Sequence, residues 1–576
     1  MYILGISGQE RDAAAALICD GQVVAAVEED NLTRVRHVGI TSNGGLPYHA
    51  IEFCLKGAGI RLDQLDFVAY YIDSQKLFRR EVAFQALYDV QESEASNEAI
   101  FPSHFTDSLY NLKERLRTRR LIESRLSPHA RFIIVDHQIA HGASAFYPSG
   151  FEQAAVISIG NRGDMATTAL MSGSGNTLTL QAEALFPNSI GMLYGAVTAA
   201  LGFGEDGDWH KTMWLSATGE PEFAELFSNM LRVDAEGLPV VNLEYFKGLN
   251  ARSPWLARPF FDRTGLKPRR KGAPLCAIHR NIASSLQSCV EDILCEIASR
   301  HRERTGNEYL CLAGGVSLNS LANAAIERRA GYKQLFVQPS GGNAGCSLGA
   351  ALYVWHEVLG RTERIYKMEH AFLGPKFDDE QIKTVLDNCR LDYQYIATDK
   401  KLIDEVALAL ARGKIVGWFR GAMEFSARTL GARSIFASPL TEVMRENLNH
   451  YVKHREDFRP FSAAVPAERV GEFFEPSMLT QFIQAVSRVK PESRSLIPAA
   501  VFGDGLARVL AVNRKTNDMF WKLLVRFGEI TGIPVLLNTS FNLFGEPVVS
   551  SPRDAVRGFY CSGIDCLAIG NFLIKK

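Results

Sequence analysis

The sequence carries no surplus of either charge: 63 Lys and Arg stand against 64 Asp and Glu over 576 residues. That balance excludes a chain built mainly around nucleic acid or an anionic membrane, since both select for a basic surface. It also lacks an apolar run of membrane-spanning length, and Met1-Tyr-Ile-Leu-Gly-Ile-Ser7 has neither a basic start nor a long apolar core. A cytoplasmic protein is therefore expected. The ten cysteines lack pairing, and the nearest two, Cys561 and Cys566, fit no zinc spacing. Reduced, mostly buried thiols follow. Low-complexity tracts are missing too, and 47% hydrophobic with 22% charged residues describes a globular chain. Its length is too great for a single hydrophobic core.

What is present reads as α/β. Tyr2 to Ser7, Ala13 to Cys19 and Gln22 to Glu29 are strands, the last two joined by Asp20-Gly21, a hairpin signal. The polar loop Gly8 to Asp12 is thereby held between two strands. Asp66 to Ile72, Arg131 to Val135 and Ala154 to Ile159 are further strands, and Asn281 to Arg300 has helical apolar spacing. Polar sequence with Gly374-Pro375 follows Lys367, so the domain boundary falls after residue 366. A helix, Leu402 to Arg412, then precedes a strand, Lys414 to Phe419, and the apolar segments 499–512 and 533–537 extend a mixed sheet. No internal repeat between the halves is apparent.

Several clusters could carry chemistry. Gly314-Gly315 and Gly341-Gly342 each join a buried strand to a helix, where a backbone without side chains approaches phosphate and the helix N-terminus favours anions. Tight turns without a ligand are the alternative. His137 and His141, four apart in a helical segment, share a face as a metal pair requires, or are two structural histidines. Arg428, Arg433, Lys453, Arg455, Arg459 and Arg508 lie among aromatics and glycines in the last third of the chain. Guanidinium groups converging on phosphate or carboxylate explain them, as does a solvated face with surface ion pairs. The polar cluster Asn538-Thr-Ser540 and Asn542, at the end of an apolar run, suits a ligand rim or a turn.

His-Gln-Ile-Ala-His-Gly-Ala-Ser-Ala at 137–145, Leu-Ala-Gly-Gly-Val-Ser-Leu-Asn at 312–319, Phe458-Arg-Pro-Phe461 and Leu-Asn-Thr-Ser-Phe-Asn-Leu-Phe-Gly-Glu-Pro at 537–547 together resemble the NodU/CmcH family of O-carbamoyltransferases. The likeness covers nearly the whole chain. It implies an actin-like ATPase domain over 1–366 and a YrdC-like domain over 367–576. It implies that the second forms carbamoyl adenylate from carbamoyl phosphate and ATP, and that the first passes the carbamoyl group to a hydroxyl of a natural product or sugar. Carried over residue by residue, it makes Arg428, Lys453, Arg455, Arg508 and Ser540 the catalytic set. Asp12, Gly314, Gly315, Asn319, Gly341, Gly342, Asn343, Asn538 and Asn542 become cofactor-binding, and His137 and His141 the metal ligands.

The sequence also departs from that pattern. Gly160 and Asn343 stand where the family has ligand aspartates, Arg11 replaces a loop histidine beside Asp12, and Trp214 fills a glycine position. Two neutral imidazoles and an amide hold a dication far more weakly than a set with two carboxylates. The expectation is therefore that the family's tightly bound metal, iron, is lost. In the second domain, Ser426-Ala427, Ala422 and Phe502 replace Gly-Pro, Arg and His. The rival reading is an impaired member serving as partner or regulatory subunit of an intact paralogue; a homodimer is the other assembly considered.

Overall fold

The computed structural model describes residues 1–79, 117–126, 128–204, 207–248, 255–267, 269–543 and 545–576. The chain folds as two units, 1–29 with 37–367 and 30–36 with 368–576. A boundary after residue 366 had left 30–36 in the first domain, whereas these seven residues fold with the second.

The first unit contains two five-stranded sheets. One runs in the order Gln22–Glu28, Ala14–Cys19, Tyr2–Ser7, Phe67–Tyr70, Arg131–Ile134. The other runs Thr177–Leu185, Ala166–Ser174, Gln153–Ile159, Tyr309–Ala313, Gln334–Val337. Numbered along the chain, each sheet reads 3-2-1-4-5, with the first three strands antiparallel and the last two joined in parallel. This doubled pattern is that of an actin-like ATPase fold. It is also the internal repeat that the sequence hid, because what repeats is strand order and direction, and residue identity does not.

Burial explains the pattern of each strand. Tyr309–Ala313 is apolar throughout because parallel strands are covered on both faces. Thr177–Leu185, at the sheet edge, exposes most of its residues. Two helices, His137–Ser149 and Gly345–Tyr353, pack on one another and between them touch both sheets. Their backbones nearly meet: a Cβ on Gly349 would stand 1.8 Å from the Ala140 carbonyl oxygen, and one on Gly5 equally close to that of Ser347. Alanine at either position would push the layers apart. The helix expected from Asn281 runs Ala277–Thr305, and its apolar row Ile282, Leu286, Val290, Ile293, Leu294 and Ile297 is buried.

The second unit is α/β around a nine-stranded mixed sheet. Its order is Gln394–Tyr395, Phe572–Lys575, Cys566–Ile569, Val416–Phe419, Arg433–Ala437, Leu536–Ser540, Ser462–Pro466, Leu506–Val512, Val486–Arg488. The expected strand within 499–512 begins only at Leu506, because Gly503 and Gly505 adopt positive φ and turn the chain just before it. Phe419, Phe461, Phe541 and Phe559 are among the buried core residues, each contributing roughly 1.5–3 kcal/mol by leaving water. Among the described residues no helix is long and apolar enough to cross a membrane.

Candidate functional site

The most unusual chemistry in the second unit is a concentration of half-buried arginines around the buried Lys453. Arg508 lies on strand Leu506–Val512 opposite Ser462, which in turn lies opposite Asn538. Directly opposed residues share a face, so this row presents Arg508, Ser462 and Asn538 together. Asn538 donates from its amide to the Thr429 carbonyl at 2.9 Å, anchoring the loop that carries Arg428. The same loop is folded by the buried Glu424 carboxylate, which accepts from the amides of Leu430 and Ala432 at 2.8 and 2.7 Å.

Lys453 follows the short helical turn Leu448–Val452. Its ammonium donates to the Ser540 carbonyl at 2.8 Å, the Asn542 carbonyl at 2.9 Å and the Asn542 side-chain oxygen at 2.5 Å. Ser540 also donates to that oxygen, at 2.7 Å. Arg455 is fixed by Asn449 at 2.8 Å, with its guanidinium 4.5 Å from the centre of the Phe461 ring.

Electrostatics show that these groups converge. Burial, then the proximity of Arg428, Arg455 and Arg459, pushes Arg508 well below its usual basicity. Arg428 falls to about 10 through burial and then Arg459. Burial followed by Arg455, Arg459 and Arg36 lowers Lys453, and burial followed by Arg459 lowers Arg455. Glu456, 3.5 Å from Arg459, is a nearby carboxylate. Buried like charges oppose one another, and an anion placed among them relieves that cost. Thus Arg428, Lys453, Arg455, Arg508, Ser540, Asn538 and Asn542 come together, with Arg459 and Arg36 as additional members. Phe544, in the motif at 537–547, lies outside the described residues.

In the first unit, the loops of interest follow the C-terminal ends of parallel strands, where open α/β sheets place ligands. The two glycine turns stand against one another: a Cβ on Gly341 would meet the Ser317 hydroxyl at 2.5 Å, and one on Gly314 the Ile159 carbonyl at 2.2 Å. Gly315 and Gly342 instead face open space. Asn319 accepts from the Ala322 amide at 3.0 Å and exchanges amide hydrogen bonds with Gln287, so the fold uses its side chain as a helix cap. The Asn343 carbonyl accepts from the Cys346 amide, and the neighbouring Ala344 carbonyl accepts from Ser7 at 3.2 Å.

Asp12, in the hairpin loop at φ 54°, is flanked by Arg11 at 3.1 Å and His37 at 2.6 Å. The Arg11 guanidinium lies 4.8 Å from the centre of the Trp209 ring. Burial pushes the Asp12 carboxyl up, but the His37 hydrogen bond and the Arg11 charge outweigh it and hold the group below the usual carboxylate range. His37 had not been singled out from the sequence. It stands 25 residues from Asp12 after an irregular stretch, and no spacing marks the pair.

His137 and His141 share a helix face, with ring centres 4.8 Å apart. Burial, then His137, holds His141 well below ordinary imidazole basicity, so it is neutral. Two carboxylates lie close to the pair. Asp136 caps the helix at Gln138 and pairs with Lys76, while Asp164 accepts from the backbone amides of Met165 at 2.9 Å and of His137 at 3.5 Å. Among the described residues, no trio of His, Cys, Asp or Glu donors includes either histidine within ligand distance of one another. The donor set does not fit the tightly bound metal implied by the resemblance.

The chain thus combines a doubled actin-like unit with an α/β unit that gathers several cations around Lys453. The family model described as Carbamoyltransferase N-terminus matches residues 2–352, and Carbamoyltransferase C-terminus matches 407–576. The chain belongs to the carbamoyltransferase family. It is 36% identical to the uncharacterized protein sll1178 of Synechocystis sp., covering 100% of this chain and 97% of that protein. It is 33% identical to nodulation protein NolNO of Sinorhizobium fredii, over 98% of this chain and 79% of that one. Against nodulation protein NolO of Bradyrhizobium diazoefficiens the identity is 35%, over 77% and 79%.

Proposed function

We propose that the second unit converts carbamoyl phosphate and ATP to carbamoyl adenylate, and that the first transfers the carbamoyl group to a hydroxyl of a small-molecule acceptor. The observation that carries this reading is the convergence of buried Lys453 with the half-buried Arg428, Arg455 and Arg508, cations that lower one another's basicity. Carbamoyl phosphate and ATP are both dense in anionic oxygens, the charge such a site accepts.

The atoms balance as follows. Water cleaves carbamoyl phosphate to carbamate and inorganic phosphate. A carbamate oxygen displaces pyrophosphate from the α-phosphorus of ATP, giving carbamoyl adenylate. The acceptor hydroxyl then attacks the carbamoyl carbon, AMP leaves, and a base takes the hydroxyl proton. Asp12 with His37 at 2.6 Å is suited to that last task. The turns at Gly315 and Gly342 face open space, so their backbone is accessible to a phosphate. A purely regulatory role is not favoured, because such a subunit has no need to keep opposing cations gathered around Lys453.

The test is exchange of labelled pyrophosphate into ATP, dependent on carbamoyl phosphate. Exchange by the purified chain that Arg508→Met abolishes is expected; exchange equal in both proteins contradicts the reading.

A further inference from the structure

Residues 30–36 fold with the second unit, and Arg34 is their principal point of attachment. Its side chain forks onto the backbone that follows the Ser540–Asn542 strand end. One guanidinium nitrogen donates to the Pro547 carbonyl at 2.7 Å, and the other donates to that of Val548. Two carboxylates secure the group, Glu546 at 3.7 Å and Asp554 at 3.6 Å. Arg557 holds Glu546 from a further side at 2.7 Å.

The backbone of Arg34 is itself strained, with φ 62° in the left-handed region that side chains disfavour. Such a conformation costs on the order of 1–3 kcal/mol and persists where its surroundings fix it. Here the fork onto two carbonyls supplies that constraint.

The loop clasped by Arg34 is continuous with the anion cluster. Val549 closes it by donating to the Phe541 carbonyl at 2.9 Å. Asn542 spans it, its amide donating to the Glu546 carbonyl at 2.7 Å while its oxygen accepts from Lys453 and Ser540. Arg34 therefore holds residues 546–548, these hold Asn542, and Asn542 sets Lys453 and Ser540. Arg34 directly follows the short helix Glu29–Thr33, and nothing in the sequence ties that position to a site formed by the last third of the chain.

We propose that Arg34 is a positioning residue for the second unit's anion site, acting through the 546–548 backbone and Asn542 on Lys453 and Ser540. This rests on the carbamoyl phosphate and ATP reading above. The two parallel donors match two successive carbonyls, which a lysine's single ammonium does not reproduce. A displaced Lys453 weakens its grip on the bound anion, so the effect falls first on substrate affinity.

The test uses full-length Arg34→Lys and Arg34→Ala, following carbamoyl-phosphate-dependent exchange over a range of carbamoyl phosphate concentrations. The expected result is a KM raised tenfold or more in both variants, kcat changed less than KM, and no rescue by lysine. A loss of stability alone lowers the active fraction and leaves KM unchanged, so the split separates the two roles. If Arg34→Ala does not fold, Arg34→Lys decides. Exchange by wild type with an unaltered KM in Arg34→Lys overturns the positioning role alone, whereas no exchange by wild type overturns the reading beneath it.

Discussion

The Nδ1 atom of His37 lies 2.6 Å from the Oδ1 atom of Asp12, across 25 residues of chain. The family resemblance implies a loop histidine where Arg11 stands; here His37, from a different segment, sets an imidazole beside Asp12. His37→Gln should lower carbamoyl-phosphate-dependent AMP release, measured with water or a simple sugar as acceptor, by roughly a hundredfold or more, the scale of general-base catalysis. Pyrophosphate exchange should stay near wild type, because the proposed adenylation uses the other unit's cations. Equal losses in both assays would contradict this division.

The cation cluster implies a trade between stability and binding. Arg508→Met keeps an unbranched stem without the guanidinium and removes one of several neighbouring like charges, a change that is often neutral or stabilising. Its melting temperature should equal or exceed that of wild type without ligand. Pyrophosphate should stabilise wild type, as any ligand specific for the folded state does, and leave the variant unmoved. A strongly destabilised variant that still responds to pyrophosphate would refute the electrostatic account.

Asp164 gives a pH dependence with a defined sign. Burial first, and Asp136 second, raises its carboxyl to about 6. Between its ordinary value near 3.8 and that raised value, the folded state binds more protons than the unfolded one. Stability from this group is therefore complete below the lower value and is lost as pH rises through about 6. The full shift is worth roughly 3 kcal/mol at most. Asp164→Asn should flatten the fall in melting temperature between acid and neutral pH. An unchanged pH profile would contradict the burial argument.

The histidine pair yields a gain-of-function prediction. A Cβ on Gly160 would stand 3.7 Å from the Gln138 amide nitrogen and 3.8 Å from the Thr167 carbonyl oxygen, ordinary contacts that a side chain's first carbon meets without displacing backbone. Purified wild type should hold well under one equivalent of transition metal, and Gly160→Asp with Asn343→Asp should hold more. Metal analysis showing a full equivalent in wild type, lost in His141→Ala, would overturn the reading.

Local signals made much of the fold legible. Asp20-Gly21 marks a real hairpin, and the apolar row from Ile282 to Ile297 faces the core. The doubled sheet order escaped notice because unrelated residues build the same topology, Tyr2–Ser7 in one half and Gln153–Ile159 in the other. Within the site, Arg428, Lys453, Arg455 and Arg508 were visible as basic residues among aromatics, but their mutual proximity depends on sheet register, Arg508 beside Ser462 and Ser462 beside Asn538. Asn319, cofactor-binding by the family resemblance, caps the helix Ser320–Arg329, a local role that its place in the motif did not reveal. His37 and Arg34 lie on an irregular segment with no periodicity, so their partners, Asp12 and the carbonyls of Pro547 and Val548, emerge only in three dimensions.

Calorimetric titration of carbamoyl phosphate into wild type and Arg508→Met addresses the central claim most directly, because it reads anion capture without requiring turnover or a known acceptor. Saturable binding at one site in wild type, weakened at least tenfold in the variant, is the predicted result. Identical isotherms for the two proteins would contradict it.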